Sequence, residues 1–509
     1  ASASAVMTVL RDYQLDAIEK LNKEPGRSIL IVAPTGAGKT VVGAAIIKPY
    51  ADAFKSVLFI VHRRELIKQT GKKLRDLRIP HGIILAGVKP RPLERVQVAS
   101  IQTLHARAMR SSRMEMPPAD LIMIDEAHHS CATTYKKIIE AYPKARIVGL
   151  TATPCRGDGR GLGGIYETII ELPQVPDLID QGFLVKTRVY APAGPDLNGV
   201  QTKMGDYVAS QLARRVNTDK LVGNIIVHWL KYSERRKTVV FAVDVAHSVH
   251  IRDEFIRAGV KAEHIDGTTP KAERDETLAR LERGEIELVT NCMVLTEGWD
   301  MPEVGCCVLA RPTKQMGLYR QMVGRVLRPA PGKTDAIILD HSGAVFRLGF
   351  ADGRVEWTLD PEGTARNPTQ AKREASGGSR IIECSQCGAM REGGKPCSHC
   401  GFLPPKKPVD YQFAEGELGV VDRNRKVNGP VYDDAAKRRW LAELVGFADQ
   451  RGYSPKWARY KFQEKFGHWP ATYSNPPPAQ PSPEVRAWAI SRVIAYAKAK
   501  QREQQELAP

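Results

Sequence analysis

Residues 33–40 read Ala-Pro-Thr-Gly-Ala-Gly-Lys-Thr, and residues 125–128 read Asp-Glu-Ala-His. The first run has the composition of a phosphate cradle. Thr35, Gly36, Ala37 and Gly38 can curl so that backbone N–H groups face phosphate oxygens, because glycine tolerates the tight turn. Lys39 would reach the outer phosphates and Thr40 would offer its hydroxyl to Mg²⁺. The pattern departs from its strict form at one place, where Ala33 stands for the usual first glycine. In the second run Asp125 ends an apolar stretch, which suits a carboxylate placed beside the bound metal. Glu126 is suited to orient or deprotonate an attacking water. An aspartate before a helix is also a common cap. Downstream of a phosphate loop, the pairing favours hydrolysis of a nucleoside triphosphate, a reaction catalysed mainly by positioning and electrostatics.

Such residues need a scaffold that presents them at one edge. Residues 7–187 alternate short apolar runs (28–32, 57–61, 95–99, 121–124 and 147–150) with helical stretches such as 40–54 and 65–77. Alternation of this kind predicts a parallel sheet covered on both faces, with ligands beyond the carboxyl ends of the strands. Residues 188–365 repeat the rhythm from about Lys237, with apolar runs at 238–243, 264–266, 288–290, 308–310 and 336–339. No second phosphate loop occurs there, so this half is expected to complete the first half's site. The fold class expected is α/β: two tandem parallel-sheet domains, a small zinc module at 380–403 and a helical region at 409–509.

The order of further segments resembles the superfamily-2 helicases, and the match runs from about Val9 to Ser342. Leu10-Arg11-Asp12-Tyr13-Gln14 resembles their adenine-recognition element, which implies that Arg11 and Gln14 lie at the base. Residues 60–70, with Arg63 and Arg64, and 98–104, with Ser100, Gln102 and Thr103, resemble the segments that grip one nucleic-acid strand. Gly149-Leu150-Thr151-Ala152-Thr153-Pro154 resembles the coupling motif, implying that His128, Thr151 and Thr153 link nucleotide state to grip. Asp266-Gly267-Thr268-Thr269-Pro270 and Arg274 resemble a segment facing the strand, here through Gly267. Thr296-Glu297-Gly298-Trp299-Asp300 resembles a motif in which Thr296 touches the strand and Gly298 and Asp300 the nucleotide. Gln321-Met322-Val323-Gly324-Arg325-Val326-Leu327-Arg328 resembles the last motif, with Arg325 and Arg328 as fingers on the γ-phosphate and Gln321 beside them. The first motif, residues 151–159 and residues 323–340 narrow the resemblance to the XPB-like, RadD-like DEAH-box DNA helicases and their phage-borne relatives. Gln321 stands where RNA-directed relatives of the Asp-Glu-Ala-Asp type carry a histidine, which places an RNA helicase second.

Two knuckles, Cys384-x₂-Cys387-Gly and Cys397-x₂-Cys400-Gly, have nine residues between Cys387 and Cys397. Four thiolates in that spacing suit tetrahedral Zn²⁺. An iron site or redox dithiols would also fit the spacing. A module this small is expected to depend on the metal to fold. After residue 408, helical patterns run over 433–449, 455–466 and 483–506. Trp440, Trp457, Trp469 and Trp488 there are interleaved with basic residues, which fits either a Trp-centred bundle or base stacking. Lys and Arg number 75 against 57 Asp and Glu, a net +18, which favours a polyanionic partner. No apolar run approaches a membrane span, and no secretory signal is expected.

The expected activity is therefore ATP-dependent movement along, or unwinding of, DNA, using ATP, Mg²⁺ and Zn²⁺. The expected setting is repair or replication by a cytoplasmic, nucleoid-associated monomer that acts on single-stranded or branched DNA, with replication or repair proteins as candidate partners. Two competing readings remain beside the RNA helicase: duplex translocation without net unwinding, and a non-catalytic nucleic-acid-binding scaffold.

Overall fold

The structure is a computed structural model; it describes residues 10–362, 381–404, 432–470 and 476–506, apart from Arg63 and Glu297. The first apolar runs form strands β1 (Ser28–Val32), β2 (Val57–Val61), β3 (His81–Ile84), β4 (Val96–Ser100), β5 (Leu121–Asp125), β6 (Arg146–Thr151) and β7 (Thr168–Glu171). They make one seven-stranded sheet in the order β3-β4-β2-β5-β6-β1-β7, with every pairing parallel. Strands β1, β2 and β5 are buried along their whole length. That burial on both faces explains their unbroken apolar composition.

The second sheet contains β8 (Lys186–Tyr190), β11 (Thr238–Phe241), β12 (Ala262–Ile265), β13 (Leu288–Asn291), β14 (Cys306–Leu309) and β15 (Asp335–Asp340). Its order is β12-β13-β11-β14-β15-β8, again all parallel. A hairpin, β9 (Thr202–Lys203) and β10 (Asp206–Tyr207), lies between β8 and β11 in the chain. The apolar runs of the sequence do not include β3, β7 or β8. The division drawn at 187/188 falls inside β8, which belongs wholly to the second sheet. The pattern Lys-Thr-Arg-Val-Tyr alternates polar and apolar residues, and only pairing with β15, about 150 positions away, declares it a strand.

Strand β8 occupies in the second sheet the place that β1 occupies in the first. The phosphate loop and the helix Lys39–Asp52 come after β1. Strand β8 instead leads into Ala191-Pro192-Ala193-Gly194-Pro195, which has neither the glycine spacing nor the lysine of a cradle.

Strands β16 (Ile381–Glu383) and β17 (Met390–Glu392) pair antiparallel and carry the cysteine module. Cys384, Ala389 and Cys397 belong to the same apolar cluster as Tyr190, Trp229 and Val240, and Phe402 packs on it. Among the described residues the module thus has no apolar core of its own and packs on the second sheet's core.

The described residues from 432 onward form a separate compact unit. Its helices Asp434–Gln450, Pro455–Phe466 and Pro483–Glu506 enclose Trp440, Leu444, Phe462 and Ala489. Trp457 and Trp488 pack against that core, and Trp469 remains 47% exposed. Three of the four tryptophans therefore serve packing. Among the described residues, no helix is long and apolar enough to cross a membrane.

Candidate active site

The loop after β1 has the geometry its glycines predict. Gly36 and Gly38 have φ of 93° and 85°, a left-handed region costly for other residues. A Cβ on Gly38 would stand 2.5 Å from Gln14 Nε2, and one on Gly36 would stand 2.7 Å from Leu184 Cδ2. The loop is anchored below by Ala33 N–H donating to the Thr151 carbonyl at 2.8 Å. It is anchored from the side by Tyr13 Oη (3.2 Å) and Gln14 Nε2 (2.9 Å), which both donate to the Ala37 carbonyl. Gly38 caps the helix Lys39–Asp52, so the positive end of that helix faces the loop. Lys39 and Thr40 are its first two residues.

Asp125 ends β5 beside β6, and Glu126 follows it directly. Glu126 is held at φ 49°, uncommon for a residue with a side chain. Lys39 Nζ donates to Glu126 Oε1 at 2.7 Å. The other oxygen, Oε2, is buried without a hydrogen-bond partner among the described residues, and His128 Nδ1 stands 3.4 Å away. Burial would raise the Glu126 carboxyl, but the Lys39 ammonium and His128 outweigh it and hold it well below the usual range. Glu126 is thus ionised, with one oxygen held by Lys39 and the other without a hydrogen-bond partner among the described residues.

The residues expected to couple nucleotide state to grip also meet. Thr151 Oγ1 donates to the Thr153 carbonyl at 3.1 Å and accepts Thr153 N–H at 3.1 Å. With its proton so placed, the hydroxyl receives one from His128 Nδ1 at 3.2 Å. Thr153 is buried under the second lobe, where a Cβ on Gly317 would lie 3.0 Å from Thr153 Oγ1.

The second lobe closes over this edge. A Cβ on Gly324 would fall 2.7 Å from Thr35 Cβ, so only glycine lets that helix approach the phosphate loop. Gln321 is buried and lines, with Thr35, Ala152, Thr153, Gly324 and Trp357, a cavity between the lobes. Arg328 Cγ comes within 3.8 Å of where a Gly36 Cβ would be, and its guanidinium pairs with Asp300. Burial lowers the Arg328 pKa.

Arg325 is placed differently from its expected finger role. Nε and Nη2 donate to the Thr296 carbonyl at 3.0 and 2.7 Å, and Nη1 donates to the Trp299 carbonyl at 2.7 Å. In this arrangement it braces the 296–300 loop, while Arg328 lies over the phosphate loop at Gly36. Thr296 is buried too, its hydroxyl donating to the Met293 carbonyl at 2.9 Å, so the side chain is spent inside the lobe. Gly298 presents its carbonyl across the cleft to Gln69 Nε2 at 2.9 Å.

At the expected base site, Gln14 Oε1 accepts Arg11 N–H at 3.0 Å, so both ends of the amide are engaged within the chain. The Arg11 guanidinium lies 4.0 Å above the Phe183 ring. Phe183 was not legible as a site residue, because it falls in the connection between the halves. Of the expected strand contacts, Arg64 is exposed and donates to the Ala86 carbonyl at 2.7 Å. Ser100 Oγ donates to Gln102 Oε1 at 2.8 Å and accepts Thr103 N–H at 3.5 Å. Gly267 sits in open space in a turn held by Asp266, whose carboxylate accepts from Thr268 and Thr269. Arg63 lies outside the described residues.

The thiols of Cys384, Cys387, Cys397 and Cys400 all lie within 4.8 Å of one another. The two knuckles are built alike: Gly388 N–H donates to the Cys384 carbonyl and Gly401 N–H to the Cys397 carbonyl, both at 2.9 Å, with φ of 75° and 74° at the glycines. At Cys384 burial opposes ionisation, but the N–H groups of Gln386 and Cys387 outweigh it and bring the thiol to about 7. Four converging sulfurs with N–H donors around them fit a tetrahedral cation of zinc type.

Two parallel-sheet lobes, with a phosphate loop and acidic pair on one and an arginine-bearing helix on the other, define a nucleotide-driven helicase class. Residues 7–156 match the family described as type III restriction enzyme, res subunit, and residues 219–330 match the helicase conserved C-terminal domain. The chain belongs to the superfamily-2 helicases, which are ATP-dependent enzymes, and its relatives there include XPB-type and phage proteins. A 51.5 kDa protein of Lactococcus phage (isolate 7-9) is 32% identical over 404 residues, covering 78% of this chain and 83% of that one. A Saccharomyces cerevisiae protein designated the ATP-dependent helicase IRC3 is 33% identical over 363 residues, covering 66% of this chain and 52% of that one. The DNA 3'-5' translocase XPB2 of Sulfurisphaera tokodaii is 25% identical over 361 residues, covering 63% of this chain and 78% of that one. The chain thus spans about half the length of its yeast relative. Among solved structures, a fragment designated as the HsdR subunit of a type I restriction enzyme from Vibrio vulnificus YJ016 shares the fold, with a TM-score of 0.53 at 23% identity, covering 67% of this chain and 65% of that one.

Proposed function

We propose that the chain is an ATP-dependent DNA helicase or translocase, with its nucleotide site shared between the lobes. The observation that carries this reading is the contact of the two halves at the phosphate loop itself: Thr35 against Gly324, and Gly36 beneath Arg328. A nucleotide entering there must change how the lobes meet, and its loss must release that change. Binding differences between the two arrangements then drive movement. The net +18 charge and the relative named as a DNA 3'-5' translocase support DNA as the track.

In this mechanism Lys39 and the loop N–H groups hold the outer phosphates. Thr40 and Asp125 would hold Mg²⁺, which when bound offsets phosphate charge. Lys39 must leave Glu126 for the phosphates, freeing the carboxylate to orient a water and accept its proton. Arg328 turns from Asp300 to the γ-phosphate, where a guanidinium stabilises developing charge. Arg325 keeps the 296–300 loop in place. Thr151, Thr153 and His128 report the change to the second lobe. Arg64, Ser100, Gln102, Thr103 and Gly267 contact one strand's backbone. Cys384, Cys387, Cys397 and Cys400 would hold zinc as a structural centre. The setting proposed is repair or replication at the nucleoid, by a monomer.

The test is ATP turnover and strand displacement on single-stranded, tailed, forked and branched DNA, with RNA alongside. Turnover stimulated most by DNA supports the reading, whereas stimulation by RNA alone contradicts it. The relative's designation as a translocase favours a second reading, duplex translocation without net opening. Displacement of a third strand from duplex DNA without unwinding would select it.

A further inference from the structure

The Asp-Glu-Ala-His run is followed by a second histidine, His129, which has no part in the chemistry above. Its ring lies 4.1 Å from that of His128 and stacks on His62, with centroids 4.6 Å apart and planes 25° from parallel. His62 Nδ1 accepts from the Gln102 amide at 3.4 Å; that nitrogen is the acceptor because an amide NH₂ can only donate. Gln102 in turn receives the Ser100 hydroxyl at 2.8 Å. At the other end, His128 reaches Thr151 Oγ1 and stands 3.4 Å from the buried Glu126 oxygen.

Three imidazoles therefore run without a gap from the water-orienting carboxylate to the side chains expected to touch the strand. The topology brings them together: His62 follows β2, His129 follows β5 and Ser100 ends β4, and β4-β2-β5 are neighbours in the sheet. Packed rings at these separations cannot be compressed, so one that shifts must move the next. When Lys39 leaves Glu126, the carboxylate beside His128 loses its clamp, and a change in the pose of His128 passes to His129 and His62.

We propose that His129 and His62 are positioning residues that couple the nucleotide site to Ser100 and Gln102, and through them to the sugar-phosphate backbone of one strand. This rests on the helicase reading above. Because such coupling is reciprocal, strand binding should also alter the setting of Glu126.

The experiment uses the full chain with an oligodeoxythymidylate as the strand. In His129→Ala, ATP turnover without oligonucleotide should stay within about twofold of wild type, while stimulation by saturating oligonucleotide should fall about fivefold or more. His62→Ala should lose stimulation to the same extent, and the double variant should be no worse than either, as expected for one linked unit. His129→Phe, which keeps a stacked ring, should recover most of the stimulation and guards against a folding artefact. Undiminished stimulation in His129→Ala overturns the proposal, as does a parallel loss of unstimulated turnover and thermal stability in all the variants. If wild type itself is not stimulated, the helicase reading fails and this inference falls with it; that failure is read on wild type, the other only on the variants.

Discussion

The two lobes share a strand order, yet one carries the cradle and the other does not. At the end of β1 the chain places two left-handed glycines, Lys39 and a helix. At the end of β8, in the matching place, it places a proline-rich connection. The second lobe contributes instead through the helix Met316–Gly324 and the arginines that come after it. The sheet thus fixes where a ligand can sit, and the residues at its edge decide which lobe binds and which responds. The arginines divide in the same way, with Arg328 over the phosphate loop and Arg325 locked to carbonyls of its own lobe.

The largest effect expected from this division lies in the first lobe. Lys39→Ala and Glu126→Gln should each lower ATP turnover by about 10³-fold. Glu126→Gln should still bind nucleotide, as a fluorescent ATP analogue would show. Turnover retained in either variant would undo the assignment of the chemistry to this lobe. Next, Arg325→Ala should destabilise the second lobe by about 3 kcal/mol, since buried carbonyls of Thr296 and Trp299 lose a charged donor. Denaturant unfolding followed by tryptophan fluorescence would detect it, and an unchanged midpoint would return Arg325 to a purely catalytic role.

A smaller change is expected at the cysteine module. Cys384→Ser should lower bound zinc, measured by metal analysis, and reduce the second lobe's unfolding temperature by about 5 °C. Zinc content equal to wild type would refute the site. The smallest effect concerns acid. Burial drives the pKa of His247 down to about 4, and burial with His228 nearby drives His341 to about 3. A depressed folded-state pKa gives stability that is complete above the ordinary value near 6.5 and is lost as pH falls toward the folded value. At pH about 6, each histidine should cost the second lobe about two-thirds of a kcal/mol relative to neutral pH. His341→Leu should flatten part of that dependence in melts taken from pH about 7.5 to about 5.

What could be read from the residues alone depends on the range of the forces involved. The phosphate loop, the acidic pair and the cysteine knuckles are local patterns, each set by a few neighbouring backbone angles. The central strands were legible because burial on both faces makes them apolar. Strand β8 was not, because its partner β15 lies far along the chain. The packing of Cys384 and Cys397 with Tyr190 and Trp229 is likewise a tertiary event that no spacing announces. Arg325 shows the limit most clearly. Its motif gave its neighbourhood, but the carbonyls that hold it belong to a loop folded against it. His129 was not singled out by the sequence, because its stacking on His62 depends on the sheet order.

The central claim is that the second lobe completes the first lobe's site, and Arg328→Ala tests it most directly. Nucleotide binding should be retained while DNA-stimulated turnover falls about 10³-fold. Turnover equal to wild type would mean that the first lobe hydrolyses nucleotide alone, and the shared site would be wrong.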